Sequence, residues 1–265
     1  IVINDQGFDN EERNKDTSPK KKRVLSPEEK AALDEIKRRR KQREAAISIL
    51  RGISIRIPLL MYGAETKNDD EITIENFSTL IDDESWAEFM PKGVDKETFK
   101  KFSKYYDKDI FREAGKRIRF MARKADELPV TERIERIAQI FGTFRNPDKE
   151  TVLTPWRVVN MHLGDCVGGY NFFDENFEHI LETPRFVDQG KTTKDIFSNK
   201  DSKILEINSK TGLYPLYMAY SFFRTQCDTV SEILGSFDKL TMEQEHKLWD
   251  KAISQNMFVV CRTPM

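Results

Sequence analysis

The stretch Ile204-Leu205-Glu206-Ile207-Asn208-Ser209-Lys210-Thr211-Gly212 decides the predicted fold of the C-terminal part of the chain. Its first four residues are apolar around one acid, which predicts a short buried strand with Glu206 near its tip. The residues from Asn208 to Gly212 are typical of a turn. Apolar residues then recur at helical spacing as far as Arg224. A strand, a turn and a helix in this order open a doubly wound sheet, where ligands bind at the carboxyl ends of the strands.

This unit has the chemistry of a cofactor site. A turn that leads into a helix offers backbone N–H donors, and a carboxylate at the strand tip can meet a cationic group such as an ammonium. The alternative is that Glu206 is a strand-end acid that pairs with Lys203 or Lys210. Both interpretations of Glu206 are compatible with the sequence.

A second segment, Thr154-Pro155-Trp156-Arg157-Val158-Val159, reads as a loop that opens into a helix. Threonine is a favourable N-cap and proline is favourable in the first turn. Such a start is common in helices and indicates little alone. Trp156, and Trp249 further along the chain, are expected to pack in the core.

Together the two segments resemble motifs of N6-adenine DNA methyltransferases of restriction–modification systems. In that family the first cofactor motif runs Asp-Pro-x-x-Gly-x-Gly; Glu206 falls on its acid and Gly212 on its last glycine. Leu153-Thr154-Pro155 resembles the Phe-Thr-Pro motif that touches the methionine end of the cofactor. The resemblance implies S-adenosylmethionine as cofactor and Thr154, Pro155, Glu206, Asn208 and Gly212 as its binding residues.

The sequence also departs from the family pattern. Lys210 stands where the family has its first glycine, and Ile207 replaces the proline. A second apolar strand is expected at Met257–Cys261, where the family places an acid for the ribose hydroxyls, but Arg262 follows it. The catalytic Asn-Pro-Pro-Tyr motif is absent, so we assign no catalytic residue.

Longer stretches resemble large single-chain proteins that join a superfamily-2 helicase to an N6-adenine methyltransferase. They are Ile53–Gly63, Glu88–Gly93 and Asn146–Pro155. The resemblance implies a helical coupling region at 26–150 and the N-terminal part of a methyltransferase domain at 151–265. The polar composition of residues 1–25 predicts a flexible linker. The expected fold class is a helical bundle (α) followed by the α/β start of a Rossmann-like domain. Because the first residue is Ile and the chain stops soon after an apolar run, we expect a fragment of a longer polypeptide.

The helical region is predicted from caps and periodicity. Ser26 and Glu29 form a capping box, and a helix is expected to run from there to about Arg51, with Gly52 as its end. Period-two alternation predicts an edge strand at Ile53–Pro58. Five helices are expected between residues 73 and 145, with candidate caps at Thr73, Asp83 and Thr131.

Charge is distributed unevenly along the chain. The formal net charge of the 265 residues is −1, yet residues 20–51 carry 12 basic and 5 acidic side chains, a net of +7. Within this stretch Arg38, Arg39, Arg40 and Lys41 are candidate contacts to the phosphates of double-stranded DNA. The alternative is a solvated helix face. Pro19–Val24 resembles a short nuclear-import signal, but the favoured interpretation is a solvated basic tract.

Other features limit the function. The three cysteines are scattered and the three histidines lie far apart, which argues against a disulfide framework or a metal site. There is no signal peptide or long apolar run, so a cytoplasmic protein without a membrane partner is expected. The predicted function is therefore part of a DNA N6-adenine methyltransferase, with a helicase and further methylase segments as partners. The alternative is a non-catalytic helical module that interacts with DNA or protein and has a degenerate α/β end.

Overall fold

A computed structural model describes residues 26–66, 71–145, 152–199, 201–234 and 240–264. The predicted linker at 1–25, with the basic tract Pro19–Val24, lies outside these ranges, as does the expected turn that begins at Asn146. The chain divides into two compact units, Ile1–Ala46 and Ile47–Met265. All packing described below belongs to the second unit, unless stated otherwise.

The first helix, α1, spans Pro27–Gly63. The capping box is confirmed, because the backbone N–H of Glu29 donates to Ser26 Oγ and that of Ser26 donates to the Glu29 carboxylate. The predicted helix end at Gly52 and edge strand at Ile53–Pro58 are wrong, since the helix continues through both. The apolar residues Ile53, Ile57 and Leu60 also fit helical spacing, and all three are buried.

Part of α1 is long and apolar enough to cross a membrane by length and composition, which the sequence analysis did not anticipate. A third of that stretch is buried inside the protein. The buried core helix of a soluble protein has the same composition, so this feature does not by itself indicate a membrane.

Five helices follow α1 in the helical region. Thr73 caps the first of them through a capping box with Asn76, as predicted. Asp82 rather than Asp83 caps the second, and Thr131 lies inside the fifth, where its hydroxyl bonds the hydroxyl of Tyr220 at 2.9 Å. The five helices are α2 (Ile74–Leu80), α3 (Asp83–Phe89), α4 (Lys96–Ser103), α5 (Lys108–Asp126) and α6 (Val130–Thr143).

The remaining elements alternate helices and strands. They are α7 (Trp156–Cys166), β1 (Gly169–Phe173), β2 (Ile180–Val187), α8 (Lys191–Phe197), β3 (Ile204–Ser209), α9 (Leu213–Leu234), α10 (Met242–Asn256) and β4 (Met257–Cys261). β1 and β2 pair antiparallel, and β3 and β4 pair parallel, so the described residues hold two separate two-stranded sheets. The predicted order of strand, turn and helix is confirmed, but the predicted strand end is wrong: β3 continues through Asn208 to Ser209, so the turn before α9 comprises residues 210–212. The described chain is mostly helical with a small α/β part, which confirms the expected class at that level.

The predicted burial of the two parallel strands is wrong. Leu205, Ile207, Phe258 and Val260 are all exposed, with 47–70 % of each residue accessible to solvent. Paired residues of neighbouring strands share a face, and the register pairs Leu205 with Phe258 and Ile207 with Val260. These four side chains therefore form one apolar face that no described element covers.

Two hydrophobic clusters hold the second unit together. One gathers residues of α1 to α5 with Leu153. The other gathers α6 to α10 with β1 and includes both predicted core tryptophans, Trp156 and Trp249. Phe141 of α6 packs against both clusters. Helix α6 therefore contributes its buried face to the α/β part, although it precedes the expected domain boundary at residue 150.

Candidate functional site

The backbone that leads from the end of β3 into α9 is unusual at two positions, one in the strand and one in the turn. Asn208 has φ of 65° and Gly212 has φ of 70°. Asparagine tolerates this left-handed region better than most residues, and glycine adopts it without a steric penalty. Lys210 is not among the residues with positive φ. The lysine that replaces a family glycine therefore carries no left-handed strain.

A cavity of about 220 Å³ joins the two segments that the sequence analysis singled out. Thr154 and Pro155 form one side of it, at the start of α7. Thr211 and Leu213 form another, at the start of α9. The remaining wall is mainly apolar and comes from α6 and the residues around it: Ala138, Phe141, Gly142, Phe144, Leu153 and Trp156. The fold thus brings Thr154 and Pro155 close to the turn after β3.

Glu206 is half-buried in the middle of β3 (Ile204–Ser209) and not near its tip, as the sequence had predicted, because the strand continues for three residues beyond it. Burial raises the pKa of its carboxyl above the usual range, and the Ser209 hydroxyl opposes this shift. The proposed pairing with Lys203 or Lys210 is not found: Lys203 lies 5.6 Å from the ring centre of Phe258, and Lys210 pairs with Glu88. Among the described residues no cation is paired with Glu206, so its carboxylate is suited to a cationic ligand.

Tyr214, in the first turn of α9, contacts α7 and lies within the electrostatic influence of Glu206. Its hydroxyl lies 2.8 Å from His162 Nδ1, and the two rings are stacked with their centres 6.4 Å apart. Burial and then the charge of Glu206 raise the pKa of Tyr214. The sequence analysis missed Tyr214, although its place two residues after Gly212 put it beside the turn.

A second carboxylate, that of Glu88 in α3, lies at the carboxyl ends of both parallel strands. Its Oε1 is 3.5 Å from Lys210 Nζ, and its Oε2 is 3.0 Å from Arg262 Nη2. Only 12 % of the Glu88 side chain is exposed. Lys210 and Arg262, two of the three residues that depart from the pattern of the resembled family, therefore share one partner from the helical region. Nothing in the local sequence around Glu88 indicates this role.

The predicted cofactor residues thus fall into two groups. Thr154 and Pro155 line the cavity, whereas Glu206 and Asn208 belong to β3 and Gly212 to the turn, and none of these three is among its lining residues. Asn208 is exposed, and a Cβ added at Gly212 would meet nothing within 4 Å. The space beside the turn is therefore open. Among the described residues no group of three or more His, Cys, Asp or Glu side chains is placed to hold a metal ion.

The predicted DNA-binding residues lie on the exposed N-terminal part of α1, in the first unit. Acids of the same helix compensate some of their charge. Arg38 and Arg39 pair with Glu35 at 2.7 and 2.9 Å, and Arg40 pairs with Glu44 at 2.9 Å. Surface pairs of this spacing are weak, about 0.3–0.5 kcal/mol each, so they leave the arginines able to exchange partners.

Comparisons of the chain with protein-family models, curated proteins and solved structures find no match. The arguments that follow therefore rest on the geometry of the site and on the resemblance of its motifs.

Proposed function

We propose that this chain is part of a DNA N6-adenine methyltransferase of a restriction–modification system. In this proposal residues 151–265 form the start of a Rossmann-like domain that binds S-adenosylmethionine in the cytoplasm. Residues 26–150 couple that domain to a helicase. The main support is the cavity that joins Thr154 and Pro155 to the turn at the end of a parallel strand. Ligands of open α/β sheets bind at this position.

The residues present fit one end of S-adenosylmethionine. The cavity is smaller than the roughly 300–1,000 Å³ of a pocket that encloses a whole ligand. It would therefore take part of the cofactor, with the rest along the open turn. Glu206 has no cationic partner among the described residues and would hold the ammonium group. The Thr154 hydroxyl and the backbone N–H groups at the start of α9 would donate to polar oxygens.

When bound, the cofactor supplies an electrophilic methyl group on a sulfonium. The described residues bind and orient it, and we assign the proton chemistry at the adenine amino group to no residue of this chain. An adenine in a duplex would have to be flipped out of the stack to reach such a site.

Titration calorimetry with S-adenosylmethionine tests the proposal. We expect the native chain to bind and Glu206→Gln to bind at least about tenfold more weakly, because a hydrogen-bonded charge is lost. Glu182→Gln, on the exposed strand β2, is the matched control and should bind like the native chain. No binding by the native chain would contradict the proposal and favour the non-catalytic module. That alternative is supported by one observation, the engagement of Lys210 and Arg262 by Glu88.

The coding sequence downstream of Met265 offers an independent test. An Asn-Pro-Pro-Tyr motif there would supply the catalytic residues of the family that this proposal names. An open reading frame that continues without such a motif would argue against methyl transfer to adenine.

The proposed DNA contact is tested by the salt dependence of binding. Each phosphate contact contributes about −0.9 to the slope of log K against log salt for duplex DNA. We expect replacement of Arg38, Arg39, Arg40 and Lys41 by glutamine to weaken binding and to flatten that slope. The control replaces Lys100 and Lys101, exposed on α4. Equal slopes for the native chain and the α1 variant would show that this face is only solvated.

A further inference from the structure

We propose that Glu88 is a positioning residue through which the helical region sets the shape of the turn between β3 and α9. The inference deepens the proposed function, because it rests on that function for its ligand and names what would regulate the site. The observation that carries it is the convergence of Lys210 and Arg262 on one carboxylate.

The geometry makes Glu88 a bridge between two strand ends. Lys210 follows β3 directly and Arg262 follows β4 directly, and each approaches a different oxygen of the Glu88 carboxylate. The backbone N–H of Arg262 also donates to the carbonyl of Ser209 at 3.4 Å. The two loops are thus tied to each other and, through Glu88, to α3.

The environment of Glu88 explains why the two cations are needed. Glu88 lies in the last turn of α3 (Asp83–Phe89), where the helix dipole disfavours a negative charge. With 12 % of its side chain exposed, water can compensate little of that charge. Lys210, whose side chain is 20 % exposed, and Arg262 supply the compensation. Breaking one side of a largely buried ion pair is costly because it leaves the other charge uncompensated.

Helix α3 is a firm support for this bridge. The Trp86 indole N–H donates to the carbonyl of Val94 at 2.9 Å, and its ring packs against Phe77 and Phe99. Asp82 caps the helix by accepting from the backbone N–H of Ser85 at 2.7 Å. Because α3 is held at its N-terminus by Asp82 and in its middle by Trp86, a movement of the helical region would be passed to Lys210 and Arg262.

The turn that Glu88 holds is part of the candidate site. Thr211 and Leu213, one and three residues after Lys210, line the cavity opposite Thr154 and Pro155. Loss of the Glu88 carboxylate would release Lys210 and widen the range of shapes available to Thr211. The site would then be formed for a smaller fraction of the time, and the apparent affinity of its ligand would fall by that fraction.

Hydrogen exchange of the 265-residue chain tests the bridge without a ligand. We expect Glu88→Gln to speed exchange of the backbone N–H groups of Arg262 and Leu216, which donate to the carbonyls of residues 209 and 212 on either side of the turn, by about tenfold, a modest loss of local stability. The control Glu84→Gln removes an exposed carboxylate from the same helix and should leave these amides unchanged. Arg262→Gln, on a half-exposed side chain, is the second variant should Glu88→Gln fail to fold. Native exchange rates at the turn in every folded variant would overturn the inference.

Calorimetry with S-adenosylmethionine gives the second readout. We expect binding to Glu88→Gln to be about fivefold to tenfold weaker, within the usual range of coupling between sites, and Glu88→Asp to recover part of the loss. A purely stabilising Glu88 would lower the melting temperature and leave the affinity of the folded chain unchanged, which would overturn the inference. If the native chain binds no S-adenosylmethionine, the proposed function fails, while the exchange experiment still decides the role of Glu88.

Discussion

The two small sheets of this protein differ in how they are completed. Strand β1 is buried at all five positions. It packs against the helices α7 and α9 and pairs with β2, the other strand of its hairpin. Strands β3 and β4 pack on α9 through one face and expose an apolar face on the other. Antiparallel pairs function well with one face in water, whereas parallel strands are normally covered on both faces.

A network of buried hydrogen bonds explains why the hairpin of β1 and β2 needs no further element to complete it. Asn160 of α7 accepts from the backbone N–H of Phe172 through its side-chain oxygen at 2.9 Å, and its backbone carbonyl accepts from the Asn171 amide. Its own amide donates to the carbonyl of Trp156 at 2.8 Å. These bonds fix β1 on α7. Strand β1 therefore has a structural role, whereas β3 presents its carboxyl end to the candidate site.

The largest expected effect contrasts the cores of the two sheets. Phe172 of β1 is fully buried and its ring lies 4.7 Å from Tyr220 and 5.3 Å from Trp156. We expect Phe172→Ala to lower the free energy of unfolding by about 3–5 kcal/mol, because it leaves a large cavity. Leu205→Ala, on the exposed face of β3, should change it by no more than about 0.5 kcal/mol. Urea unfolding measures both, and a large loss from Leu205→Ala would show that another element covers that face in solution.

Some local signals were predicted correctly and others were not. The capping boxes at Ser26 and Thr73 each act within a few residues, so the sequence reveals them. Asp83 and Thr131 have the chemistry of a cap, but neither caps a helix.

The edge strand predicted at Ile53–Pro58 was wrong because the apolar residues there fit both the period of a strand and the period of a helix. The buried contacts of Ile53, Ile57 and Leu60 decide for a helix, and such tertiary contacts are not visible in a short window.

The candidate site was only half predictable. Thr154 and Glu206 were proposed because their motifs resemble those of a family; the structure places Thr154 beside the turn, and their role as cofactor residues stays a prediction. The bridge by Glu88 was not found, because it joins residues that are distant in sequence and depends on how α3 packs. The exposure of β3 and β4 was missed for a related reason: apolar composition predicts burial, but the cover must come from elements that packing brings there.

A pair of glycine substitutions sharpens the contrast between the open turn and a regular helix. Gly212 has φ of 70°, so we expect Gly212→Ala to destabilise the chain by about 1 kcal/mol through backbone strain. Gly142 lies in the last turn of α6, and an added Cβ meets nothing within 4 Å there either. Gly142→Ala should therefore be neutral or stabilising, by up to about 0.5–1 kcal/mol.

Thermal unfolding of the two variants provides the measurement. Both glycines border the candidate site, so their substitution adds similar bulk near it. Equal stability changes for Gly142→Ala and Gly212→Ala would show that the turn does not need the left-handed conformation seen here.

The smallest expected effect concerns the pH dependence contributed by Glu206. Its pKa is raised in the folded chain, chiefly by burial, so the charged form costs stability. Below the unfolded pKa of about 4.3 both states are protonated and the cost is absent. The cost grows as the pH rises through the folded pKa. Glu206→Gln should therefore be slightly more stable than the native chain near neutral pH, a small difference because the side chain is half-exposed.

The sign of this difference separates the two interpretations of Glu206. Denaturant unfolding at about pH 3 and about pH 7, on either side of the titration of Glu206, should show the advantage of Glu206→Gln only at the higher pH, with Glu182→Gln as control. A less stable Glu206→Gln at the higher pH would mean that the carboxylate already has a cationic partner inside the protein. Glu206 would then belong to a structural ion pair. An advantage as expected means that the folded chain keeps an uncompensated carboxylate there, a cost that a bound ammonium group would remove.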